Sequence, residues 1–134
     1  MYRLVSLIAL VMAITMAAAL AADDRLTGYK PVDLSSWAPR TASSAMELVE
    51  PLYRAHPRRL EGRPGLQITL RKDADSKLVI DIEMTGFLDD SVGGAQFRAI
   101  VVRAGGGWKL QALGQRHICY RGLNAGQPTT QPCP

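Results

Sequence analysis

The chain has 134 residues, 47% of them hydrophobic and 21% charged, with 16 Lys and Arg against 12 Asp and Glu for a net charge of +4. That length excludes two ordinary domains, and that hydrophobicity excludes a wholly disordered chain.

Met1-Tyr2-Arg3 precedes an uncharged run from Leu4 to Ala22, and Asp23-Asp24-Arg25 follows it. A secretory signal needs a positive start, an apolar centre and small residues at the cut. Arg3 and the amino terminus supply the first, Leu4 to Met16 the second, and Ala19-Leu20-Ala21 the third. Residues 1–21 therefore read as a cleaved signal peptide, and the protein is expected to be periplasmic or secreted. An uncleaved anchor is the weaker reading. The run only reaches the spanning threshold of about 18 to 20 residues, its last third is alanine-rich, and Asp rather than Lys or Arg follows. No Cys near the cut can take a lipid, and no later stretch is long and apolar enough to span a bilayer.

Residues 22–43 show little periodicity. Leu26, Tyr29, Val32, Leu34 and Trp37 are scattered among Gly28, Pro31, Ser35, Ser36 and Pro39, which predicts an extended arm laying apolar side chains on the domain. Ser44-Ala45-Met46-Glu47 then fits a capping box, in which the Ser hydroxyl takes the amide of the third helical residue and the Glu side chain reaches back. Met46, Val49, Leu52 and Tyr53 follow at helical spacing. Pro51 interrupts them: inside a helix it removes a hydrogen bond and clashes with the previous turn, costing about 3 kcal/mol. The expectation is a helix kinked near Pro51, or two short pieces, ending before Pro57.

After Gly62-Arg63-Pro64-Gly65 the period changes to two. Leu66, Ile68 and Leu70 alternate with Gln67, Thr69 and Arg71; Asp73 to Lys77 is a turn; Leu78, Ile80, Ile82 and Met84 alternate with Val79, Asp81, Glu83 and Thr85. These runs predict an antiparallel hairpin with one wet face. Gly86 to Gly94 breaks the pattern, and Ala95 to Arg103 makes a third strand. Ala104-Gly105-Gly106-Gly107 turns into a fourth strand, Trp108 to Cys119, where Gly114 suggests a bulge or bend.

The two Cys residues, Cys119 and Cys133, close a segment rich in Gly, Pro, Thr and Gln. In an exported protein such a pair reads as a disulfide, worth roughly 3 kcal/mol for a loop of about 15 residues. A redox dithiol lacks its CxxC spacing.

The predicted fold over residues 44–134 is thus α+β, one N-terminal helix packed on a four-stranded antiparallel meander. That order of elements resembles cystatin-like and NTF2-like domains, a likeness of fold that implies no activity. Asp89-Asp90-Ser91-Val92-Gly93-Gly94, Gly107-Trp108-Lys109-Leu110, Cys119-Tyr120-Arg121-Gly122 and Cys133-Pro134 also resemble a group of small exported proteobacterial proteins. This resemblance covers the chain from Asp89 onward and implies export and a C-terminal disulfide, with no known activity attached.

Catalytic chemistry finds little footing. His56 and His117 stand without further ligands at metal-binding spacing, and no GxSxG, Walker A or GxGxxG is present. Asp81 and Glu83 share the wet face with Arg71 and Arg98, which predicts a surface charge ladder rather than an acid–base pair. Asp73 to Lys77 lacks the Gly and distal Glu of a calcium loop. No catalytic residue, metal or cofactor is expected. Two candidate sites stand out instead. One is the loop carrying Phe87, Asp89 and Asp90, since loops on rigid sheets commonly hold binding groups. The other is the basic run of Arg54, His56, Arg58, Arg59 and Arg63, which suits a phospholipid head group, a cell-wall polymer or an acidic protein. Nucleic acid is disfavoured by export and by few aromatics near the cluster. The expected function is a non-enzymatic binding protein of the bacterial envelope, of inhibitor, immunity or adaptor type. The alternative is an NTF2-like ligand carrier or enzyme with a pocket between helix and sheet.

Overall fold

A computed structural model describes residues 23–56 and 64–134. The expected signal peptide, and with it the cut after Ala21, lies outside the described residues, as do Arg58, Arg59 and Arg63.

After a short 3-10 helix at Asp24–Leu26, the elements are β1 (Lys30–Pro31), β2 (Thr41–Ala42), α1 (Ala45–Tyr53), β3 (Gly65–Lys72), β4 (Leu78–Thr85), β5 (Val92–Ala104), β6 (Gly107–Cys119) and β7 (Pro128–Thr129). This corrects the expected α+β arrangement of a helix on a four-stranded meander. Among the described residues the protein is mostly sheet: seven antiparallel strands run in the order β1-β6-β5-β4-β3, with β2 and β7 also on β6, and α1 has only nine residues. Two-residue strands are too short to show alternation, so hydrophobic periodicity cannot reveal them. They form because the outer edge of β6 offers unpaired amides and carbonyls to whatever backbone lies beside it.

That edge is covered along its length. Thr41 faces Lys109, Lys30 faces Gln115 and Thr129 faces His117. Between them the Leu110 amide donates to the Arg40 carbonyl at 2.9 Å and the Val32 amide to the Leu113 carbonyl at 2.8 Å. The arm thus closes a sheet edge in addition to laying side chains on the domain. Arg25 holds its start in place by pairing with Asp73 and Asp75 of the β3–β4 turn.

The main core lies on one face, where Ile80, Ile82, Met84, Ala99, Val101, Leu110 and Leu113 meet Ala45, Leu48 and Val49 of α1. Ser44 caps the helix by accepting from the Met46 amide at 3.3 Å, and Ser43 Oγ donates to Glu47 Oε1 at 3.0 Å. The helix continues through Pro51 as one piece and ends two residues later at Tyr53. On the opposite face Leu26, Val79 and Ile100 form a smaller cluster with Tyr29 and Ala112. The bulge or bend expected at Gly114 is not a register shift there: the β5–β6 register shifts between Val92 and Gly94 and between Ile100 and Val101. Gly114 is instead a site of close approach: a Cβ there would stand 2.7 Å from the Cβ of Tyr29.

Candidate binding groove

Two of the sequence candidates meet at one end of the sheet. α1 ends beside the turn that leaves β4, and between them lies a groove of about 520 Å³ lined by Leu52, Ala55, His56, Met84, Phe87, Leu88 and Asp89. His56 comes from the basic run, Phe87 and Asp89 from the loop. Their rings meet, with His56 and Phe87 centroids 5.7 Å apart. His56 Nε2 donates to the Gly65 carbonyl at 3.0 Å, because a carbonyl can only accept, and this holds the imidazole at the start of β3.

The β4–β5 loop is stiff for identifiable reasons. Asp89 Oδ1 accepts from the amides of Ser91 (2.7 Å) and Val92 (2.8 Å), an Asx turn. The bonds from Val92 and Ser91 hold the Asp89 carboxyl below its ordinary pKa. Gly86, at φ 75°, lets the chain leave β4 sharply.

Behind the loop stands the segment that follows β6. The Tyr120 hydroxyl donates to the Phe87 carbonyl at 2.7 Å, and the Tyr120 amide to the Ser91 carbonyl at 2.8 Å. Its ring covers Gly93, where a Cβ would come within 2.9 Å of Cε1. Arg121 reaches Ser91 Oγ at 3.2 Å and Asp90 at 3.6 Å, and its Nε donates to the Pro134 carbonyl at 3.2 Å. Cys119 and Cys133 form the disulfide that holds this C-terminal segment, with Cα atoms 5.4 Å apart. The covalent bond therefore backs the groove through Tyr120 and Arg121. Sequence reasoning missed both residues, although their adjacency to Cys119 was visible.

Of the other candidates that fall among the described residues, Arg54 and Asp90 do not line the groove. Arg54 is exposed and pairs with Glu50 at 3.1 Å, one helical turn back. Asp90 turns toward Arg121 and does not line the groove.

A second cleft, about 220 Å³, opens on the opposite face of the sheet. There the guanidinium groups of Arg98 and Arg116 both lie over the Tyr29 ring, at 4.8 and 4.2 Å from its centre. Arg98 donates to both Asp81 oxygens, at 2.6 and 3.2 Å, and this hydrogen bonding raises its pKa. Arg116 donates to Gln96 Oε1 at 2.6 Å, and Gln96 in turn donates to Glu83. Asp81 and Glu83 are thus each engaged by a cation or an amide rather than poised as a proton-transfer pair. The cleft satisfies its own polar groups, whereas the groove leaves apolar surface open.

Among the described residues, no three His, Cys, Asp or Glu side chains stand close enough together to hold a metal ion. Leu48 and Val49 of α1 are fully buried, and the open volume lies toward the helix end, where Leu52 of α1 and Met84 of β4 both line it. The chain matches no family model, and no curated protein or solved structure is found to be similar to it.

Proposed function

We infer that the protein is a non-enzymatic binding protein of the bacterial envelope that engages another protein through the groove between α1 and the β4–β5 loop. The observation that carries this reading is Leu88. It is a large apolar side chain, 71% exposed, at the lip of an open groove, on a loop braced from behind by Tyr120, Arg121 and the disulfide. A pre-ordered loop loses little conformational entropy when a partner docks, and an apolar side chain presented this way gains by leaving water. The partner segment suited to the groove carries an apolar side chain to lie against Leu52, Met84 and Phe87. Acidic neighbours on it suit His56 and the basic run that follows in the sequence.

The test is native mass spectrometry of the protein released gently from the envelope of its host, beside a Leu88→Asp variant. A protein-sized adduct on the wild type that is lost from Leu88→Asp is the expected result. An adduct that survives the substitution, or a wild type that carries no protein, overturns the reading.

A further inference from the structure

We propose that two copies of this chain associate through β3, antiparallel across a two-fold axis at Ile68, to continue the sheet from one copy into the other. The argument begins with the hairpin. The Asp73 amide donates to the Lys77 carbonyl at 3.0 Å, and ladder bonds in an antiparallel pair recur at every second residue pair. Arg71, Thr69 and Gln67 therefore turn their backbone groups to β4. Leu66, Ile68, Leu70 and Lys72 turn theirs outward, to an edge that nothing pairs among the described residues.

The same alternation carried across β4, β5 and the bulge predicts which groups of β6 face outward, and at that edge Leu110 and Leu113 are met by Arg40 and Val32. One edge is closed by the chain itself; the other presents a full-length template for a strand. β3 also exposes apolar side chains on the face that carries the core. Leu66 is 42% and Leu70 48% exposed, although the residues opposite them on β4, Met84 and Ile80, are buried.

A second copy is the occupant that fits. With Ile68 opposite Ile68, Leu66 of each copy lies opposite Leu70 of the other, so each exposed leucine covers another. Gln67 then meets Thr69. Arg71 meets Gly65, so no like charges face each other, whereas parallel in-register pairing would set Arg71 against Arg71 and Lys72 against Lys72. The outward amides and carbonyls from Leu66 to Leu70 all find partners.

The test is the solution mass of the protein purified from its host, measured by sedimentation from low micromolar to near-millimolar concentration. The wild type is expected to pass from monomer to twice that mass as concentration rises. Ile68→Pro removes an outward N–H that the β3–β4 ladder does not use. Leu70→Lys places a charge where two leucines would meet. Both variants are expected to stay monomeric with unchanged circular dichroism, and Leu70→Lys keeps the test decisive should the proline disturb folding. A wild type that is monomeric throughout, a dimer that survives Leu70→Lys, or an edge found occupied by a different protein overturns the proposal.

Discussion

Among the described residues, large apolar side chains stand exposed in two regions, and they are held there in different ways. Leu66 and Leu70 belong to a regular edge strand, positioned by the β3–β4 ladder. Leu88, Tyr120 and Leu123 belong to the β4–β5 loop and the disulfide-bonded segment behind it, positioned by side-chain bonds and one covalent link. The strand offers a repeating backbone template together with its leucines, which suits pairing with an identical strand. The loop offers a shaped, irregular surface, which suits a partner of different sequence. Exposed hydrophobicity alone does not specify a partner; the backbone that presents it does.

The contrast predicts that the two regions respond independently. The largest effect is expected at the loop. Cys119→Ser should lower stability by roughly 3 kcal/mol, as the entropy model gives for a loop of about 15 residues. It should abolish the Leu88-dependent adduct yet leave association through β3 intact, which urea unfolding, native mass spectrometry and sedimentation would report separately. Tyr120→Phe should cost about 1 kcal/mol, the typical net worth of one hydrogen bond, by removing the donor to the Phe87 carbonyl. Its signature is weaker partner capture with association through β3 intact.

Acid should loosen the loop in a defined direction. Asp89 has a lowered pKa because it accepts from the Val92 and Ser91 amides, so the stability it contributes is present above the ordinary carboxylate range and is lost as pH falls through the lowered value. Amide signals of Ser91 and Val92, followed by NMR on descending pH, should move together with the Asp89 carboxyl. Asp89→Asn should remove that pH response. The smallest stability effect belongs to the open edge: Leu70→Lys should change monomer stability by within about 0.5 kcal/mol, as exposed positions do, while still preventing the rise in mass. A large loss of monomer stability there would show that Leu70 serves the core rather than an interface.

Much of the central sheet was legible in the sequence because its strands are long enough to alternate. The Asp73–Lys77 turn and the glycine turn after Ala104 separate runs whose observed registers pair Ile68 with Ile82 and Ala99 with Leu113. β1, β2 and β7 were not legible, and with them went the fold class. Each is a two-residue segment that pairs because β6 has an unfilled edge, and no local pattern announces a neighbour's unmet hydrogen bonds. The groove was half legible. Phe87, Asp89 and His56 drew notice separately, but a separation of more than thirty positions between helix end and loop hid their meeting. Asp90 was grouped with Asp89 by adjacency, yet it points to Arg121 while Asp89 folds back on its own loop. Gly114 shows a comparable limit. A glycine within a strand signals a bulge or a close approach equally well, and only the approach of Tyr29 and Leu26 decides between them.

The most direct test of the contrast places one photoreactive residue at position 88 and, in a separate variant, at position 70, with both proteins irradiated in their host. Position 88 should yield an adduct with a different protein, and position 70 an adduct of twice the chain's own mass. The same adduct from both positions, or a self-adduct from 88 together with a foreign one from 70, would contradict the assignment of the loop to a partner and the strand to a second copy.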